Sequence, residues 1–175
     1  SGFVDTLSAK DIATNGEDFA KQSYKALAKD LKDIGINLDF APVVDLAINK
    51  NNKVIVTRGR SFGESSSAVI KYSSIFVDEL RKQNVISVLK HFPGHGSSLA
   101  DSHLGFVDIS TTWSPKELEP YKYFIQNNKV DMIMSAHVFN KNLDKDYPAT
   151  LSYEINTKLL RYKLGYEGVL ISDDL

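Results

Sequence analysis

From Glu17 to Ile34, apolar residues recur at helical intervals, with Phe19, Leu27, Leu31 and Ile34 on one face. Asn15 is placed to cap the start of that helix and Gly35 to end it. The run from Ile36 to Phe40 is short and apolar, which predicts a strand leading into Ala41-Pro42-Val43-Val44-Asp45. Asn- and Lys-rich residues from Ile48 to Gly63 predict a loop. A second helix is expected from about Ser66 to Gln83, with Ile70, Phe76, Val77 and Leu80 inward. A buried strand follows from Val85 to Leu89. The stretch from His91 to Ser110 is too broken by glycine for regular structure. Ser114-Pro115-Lys116-Glu117 joins a capping box to a proline at the first helical position, and opens a helix to about Asn127. Val130 to Met134 is a third strand. Ser152 to Leu164 is a fourth helix stopped by Gly165, and Gly168 to Ile171 a fourth strand.

Helix and strand therefore alternate four times, and each strand is mostly apolar. That pattern indicates an α/β fold with a parallel sheet covered by helices. Two architectures fit it, an open doubly wound sheet and an eight-stranded barrel. The unusual polar residues, Asp45, His91, His137 and Asp173, each follow directly on a strand. An open sheet gathers its site at one switch point, whereas a barrel carries chemistry after every strand at a shared face. The distribution predicts a (β/α)8 TIM-type barrel, present as a partial barrel of four βα units. A complete barrel takes about 200 to over 400 residues, and this chain has 175. Residues 1–175 are thus expected to be a single domain, incomplete at both ends. Such a piece would be unstable in isolation, because an unclosed sheet leaves two edges.

Composition narrows the function classes. The chain is 42% hydrophobic and 25% charged with a net charge of -1, so nothing points to nucleic acid or an anionic membrane as partner. It has no cysteine, which excludes disulfides, thiolate metal sites and cysteine nucleophiles. No apolar run approaches the roughly 20 residues of a membrane span. No leader is visible, although one could precede Ser1.

The densest chemistry lies in Lys90-His91-Phe92-Pro93-Gly94-His95-Gly96, followed by Asp101-Ser102-His103; three of the chain's four histidines are here. His91 and His95 have the spacing of a helical metal-ligand pair, but Pro93, Gly94 and Gly96 forbid a helix. No metal and no cofactor are therefore expected. Asp101-x-His103 instead sets a carboxylate beside an imidazole, which suits acid/base work near neutral pH. Asp173-Asp174 at the last strand's end offers a nucleophile, or more blandly a helix N-cap. Arg58, Arg60 and Lys90 supply cations able to hold hydroxyls or a carboxylate.

These residues resemble the signature of the family 3 glycoside hydrolases, and Asp101-x-His103 resembles its β-N-acetylglucosaminidase branch. The likeness extends to Phe40-Ala41-Pro42-Val43-Val44-Asp45, Gly59-Arg60-Ser61-Phe62, Ala136-His137-Val138 and the run from Leu164 to Val169. It implies a retaining exo-β-N-acetylglucosaminidase acting on a small carbohydrate, such as a peptidoglycan fragment. In that reading Asp173 is the nucleophile and His103 the general acid/base, with Asp101 as its partner. Arg60, Lys90 and His91 hold ring hydroxyls, and His137 stands at the rim. His95 shapes the loop and Asp174 caps a helix. A cytoplasmic location is the first expectation, with the periplasm or exterior as alternatives. The family also carries an Asp and a Glu-Gly-Gly-Arg segment near the barrel's start. Neither is present here, so both are expected before Ser1, and the isolated segment is expected to be inactive. Three alternatives stand beside this reading. Another family 3 β-glycosidase is one, which Asp101-x-His103 argues against. The others are a metal-dependent hydrolase and a non-catalytic sugar-binding protein.

Overall fold

Two helices, α1 (Ala9–Asn15) and α2 (Glu17–Asp33), precede the first strand, β1 (Leu38–Asp39). Helix α3 (Ser66–Lys82) leads to β2 (Ile86–Phe92). Then come β3 (Val107–Asp108), a single 3-10 turn (Pro115–Leu118), α4 (Glu119–Gln126), β4 (Met132–Ser135) and β5 (Val138–Phe139). A second 3-10 turn (Ala149–Leu151), helix α5 (Glu154–Lys163) and β6 (Val169–Ser172) complete the chain. This is a computed structural model, and it describes residues 5–99 and 107–174.

The main sheet is parallel, with strand order β1-β2-β4-β6. Order in space follows order in sequence, so every crossover advances the same way. Because such crossovers are right-handed, their helices all fall on one face of the sheet. A doubly wound sheet would reverse direction once; this one does not. The fold is accordingly a partial TIM-type barrel, as the distribution of polar strand ends predicted.

Register shows which face is which. Leu89, Ile133 and Leu170 form one row across β2, β4 and β6. All three pack into the core shared with Leu80, Tyr121, Phe124, Ile155 and Leu160 from the helices. Each fully buried Leu, Ile or Phe contributes about 1.5–3 kcal/mol, so this row ties the sheet to its helical coat. On the other face, Phe40, Ile86 and Val169 are exposed. At the bottom of the sheet Asp131 accepts from Arg81 Nη2 at 2.7 Å and from the Ser87 hydroxyl at 2.9 Å, joining α3, β2 and β4.

Several local expectations are corrected. Helix α1 is an addition, and Asn15 ends it rather than capping α2, whose N-cap is Gly16. Helix α2 buries Ala20, Tyr24 and Ala28, while Phe19 and Ile34 are exposed. Tyr24 packs its ring edge-on against Phe62 and Phe76, and Ala20 and Ala28 on either side leave room for the neighbouring helices. Strand β2 continues through Lys90, His91 and Phe92, and β3 adds a short strand within 91–110. Helix α5 is wound as a π-helix, with Leu164 N–H donating to Leu159 O at 2.9 Å. Among the described residues, no helix is long and apolar enough to cross a membrane.

Candidate active site

The site grows from the C-terminal ends of the strands. Cis peptide bonds join Ala41 to Pro42, Lys90 to His91 and Phe92 to Pro93. Just past β1, the fully buried Asp45 carboxylate gathers the next strand's end. It accepts from His91 Nδ1 at 2.6 Å, from His91 N–H at 3.3 Å and from His95 N–H at 2.8 Å. Burial alone would raise its pKa, but the charge and hydrogen bond of His91, then His95, hold it below the usual carboxylate range. An ionised acid at that distance fixes one ring proton on His91 Nδ1. His91 Nε2 then faces outward, 3.5 Å from Arg60 Nη2 and 3.8 Å from Asp173 Oδ2.

Arg60 is held in place by Val54 O, to which its Nη1 donates at 3.2 Å. Lys90 stands beside His91, half-buried. Burial and the neighbouring Arg60 lower its pKa, while Asp173, Asp39 and Asp45 work the other way. Asp173 follows β6, where its N–H donates to Ser135 O at 3.0 Å and its Oδ1 accepts from Asp174 N–H at 2.9 Å. With Phe40, Lys90, Met134, Ser172 and Asp174 it lines a cleft of 530 Å³, within the ordinary range for small-molecule sites. His137, between β4 and β5, makes contacts of 2.7 Å with Asp174 O and with the Thr150 hydroxyl. It thereby latches the chain after β6 to the end of β4.

Of the residues singled out by sequence, Lys90 and Asp173 thus line one cleft, His91 and then Arg60 stand behind Asp173 in a chain of close contacts, and His137 holds the backbone of Asp174. Asp101 and His103 lie outside the described residues. Asp174 lines the cleft and offers its backbone oxygen to His137. His95 is bound into the loop by its N–H, by its Nδ1 contact with Ser98 Oγ at 2.7 Å and by Asn52.

Three residues gained roles that sequence did not assign. Asp45 was visible as a polar strand end. Asn52 Nδ2 donates to His95 O, Gly96 O and Ser98 Oγ while its Oδ1 accepts from Val54 and Ile55, and only an Asn-rich loop hinted at it. Glu117 read as half of a capping box, yet its Oε2 accepts from Gly96 N–H at 2.9 Å. Gly96 admits no side chain, because a Cβ there would lie 1.8 Å from Leu46 O. Among the described residues, no three His, Cys, Asp or Glu side chains gather where they could hold a metal ion.

Residues 7–175 match the model of the glycosyl hydrolase family 3 N-terminal domain. The chain belongs to that family. It is 38% identical over 174 residues to β-hexosaminidase A of Pseudoalteromonas piscicida, covering 91% of this chain and 29% of that one. The family 3 fold also appears in solved structures. A β-N-acetylhexosaminidase from Beutenbergia cavernae superposes with a TM-score of 0.94 at 28% identity, covering all of this chain and 53% of that one. NagZ of Neisseria gonorrhoeae, in complex with N-trifluoroacetyl-D-glucosamine, gives 0.89 at 31% identity, covering 100% and 53%. The chain spans less than half the length of the curated relatives it matches. In this family 3 barrel, the matched stretch contains every residue that meets around the cleft.

Proposed function

We propose that the protein carrying this barrel is a retaining exo-β-N-acetylglucosaminidase, with terminal N-acetylglucosamine of peptidoglycan fragments as its substrate. The observation that supports it most is Asp173 lining the 530 Å³ cleft beside Lys90, with His91 Nε2 3.8 Å from its carboxylate. The names of the relatives supply the sugar: hexosaminidases, and a NagZ bound to an N-acylated glucosamine.

In this reading Asp173 attacks the anomeric carbon as His103 gives a proton to the departing oxygen. The resulting glycosyl ester is hydrolysed by water, from which His103 takes a proton, and the two inversions give net retention. Asp101 holds the His103 ring and stabilises its charged form. Lys90 lines the cleft, with His91 3.8 Å from Asp173 and Arg60 3.5 Å from His91; in this reading the three hold ring hydroxyls and orient the sugar for in-line attack. His137 keeps the chain after β6 in register with β4.

The test is Asp173→Ala in the full-length protein, assayed on nitrophenyl N-acetylglucosaminide. A loss of about a thousandfold or more is expected, with azide restoring turnover as an α-glycosyl azide. Retained activity would remove Asp173 from the nucleophile's role. A wild-type preference for the glucoside would assign the site to another family 3 glycosidase. Loss of activity in a chelator, restored by zinc, would assign it to metal chemistry.

A further inference from the structure

Behind the sugar-facing residues lies a second buried carboxyl group that the mechanism does not use. Glu117 sits in the 3-10 turn Pro115–Leu118 with only 1% of its surface exposed. It backs the Pro93–Gly96 turn in two ways. Its Oε2 accepts from Gly96 N–H at 2.9 Å. Its stem also occupies the space a side chain at Gly94 would need, since a Cβ there would stand 2.5 Å from Glu117 Cβ. Gly94, at φ +123°, is free to take that close approach.

The adjacent amide, His95 N–H, is taken by Asp45 at 2.8 Å. Two buried carboxyl groups therefore grip consecutive amides of one turn. Asp45 carries the load of His91 directly, and Glu117 fixes the turn from the opposite side. We propose that Glu117 is a positioning residue of the family 3 site: it holds the turn that sets Asp45 and His91 against the sugar cleft.

The chemistry around Glu117 decides the form in which it does so. The groups acting on it are Asp45 from the loop after β1, the Ser97 hydroxyl, and the amides of Gly96 and Ser114; Tyr121 on α4 feels its charge in turn. None of these is a cation. Its Oε1 is buried without a hydrogen bond of ordinary geometry, as are Ser97 Oγ and Tyr121 OH. Burial first, and Asp45 after it, push its pKa up to about 7, against the pull of Ser97 and the two amides. Up to about neutrality it is a carboxylic acid, which can still accept from Gly96. Above that it becomes a second anion acting on Asp45, and the repulsion between the two works against the charge arrangement of the turn.

This inference rests on the glycosidase reading, and the experiment separates the two. Full-length wild type, Glu117→Gln and Glu117→Ala are compared on nitrophenyl N-acetylglucosaminide from pH 5 to 9. Glutamine keeps the acceptor for Gly96 and cannot ionise. The alkaline fall of kcat/KM is expected about one pH unit higher in Glu117→Gln than in wild type. At pH 6, alanine is expected to lose about tenfold or more, most of it regained by glutamine. Superimposable pH profiles for wild type and Glu117→Gln would overturn the proposal, as would an alanine variant as active as wild type. Should the alanine variant fail to fold, the glutamine profile alone decides. A wild type inactive on the substrate would instead sink the glycosidase reading.

Discussion

Asp45→Asn is the most informative perturbation of the buried network. The wild-type carboxylate receives three donors, two backbone amides and His91 Nδ1, inside a region closed to water. Asparagine keeps one acceptor oxygen, which serves the amides, but presents an NH2 where Oδ2 met the ring. Either two donors face each other at 2.6 Å, or His91 moves its proton to Nε2 and accepts at Nδ1. Hydrogen bonds to charged groups are worth about 1.5–3 kcal/mol, and a buried partner left uncompensated adds to that. A net cost of about 2–4 kcal/mol at pH 7 follows, or about 1–2 M in the urea midpoint for a domain of this size. The pH dependence has a definite sign. The folded pKa of Asp45 is lowered, so its stabilisation is complete above the unfolded value of about 4 and is lost as pH falls through the folded one. The gap between wild type and variant should be constant above about pH 5 and narrow below about pH 4. Urea unfolding of the full-length protein, followed by far-UV circular dichroism, reads it directly; the Trp113 indole donates to Pro93 O at 3.0 Å beside the turn. Equal stabilities at pH 7, or a gap that does not change on acidification, would refute the assignment of Asp45 as the ionised anchor of His91.

Two further outcomes follow from the same turn. Gly96→Ala would drive a Cβ against Leu46 O, and a cost of about 3 kcal/mol or more is expected; thermal unfolding within about 1 kcal/mol of wild type would contradict the close approach. Glu117→Gln removes the penalty of ionising a buried acid. With a folded pKa of about 7 against 4.5, wild-type stability should fall by about 3 kcal/mol as pH rises from about 4.5 to about 7. The glutamine variant should lack that fall, and parallel stability curves would show that Glu117 ionises freely.

The parallel, helix-covered sheet was legible because near-continuous apolar strands alternate with amphipathic helices, and the barrel because polar residues follow each strand. The strand ends were less legible. The strand reading stopped at Leu89, with Lys90 at its end and His91 in the loop, because a strand bordered by core is expected to be apolar. At a barrel's C-terminal face, the last strand residues carry polar groups at an irregularity: pairing with β4 shifts between Leu89 and Phe92, and the Lys90 backbone bonds Pro42 and Val44 on the other side. Helix α1 escaped because its seven residues bury only Ile12, too little to show a period. In the site, residue types were visible but pairings were not. Asp45 and His91 are 46 positions apart and Gly96 and Glu117 are 21 apart, so only the sheet brings them together. Asp173 by itself reads as a cap, and the family likeness, not the local pattern, singled it out.

Asp45 and Glu117 show how one turn tells two buried carboxyl groups apart. Both lose water, both accept from neighbouring amides, and both are penalised by burial before any other effect. Their titrations nevertheless move in opposite directions, and the difference is the imidazole: Asp45 meets His91 side chain to side chain, whereas Glu117 meets amides and Ser97. Separation of this kind assigns distinct roles to otherwise similar acids. Were both ionised, two anions would sit on consecutive amides, and the cost would fall on the turn that presents His91. Keeping Glu117 neutral confines the negative charge to the side facing Lys90, where Asp45, Asp39 and Asp173 together oppose the loss of its proton. Lys90 in the cleft and the silent acid behind it are therefore parts of one electrostatic arrangement, and altering the second should be felt at the first.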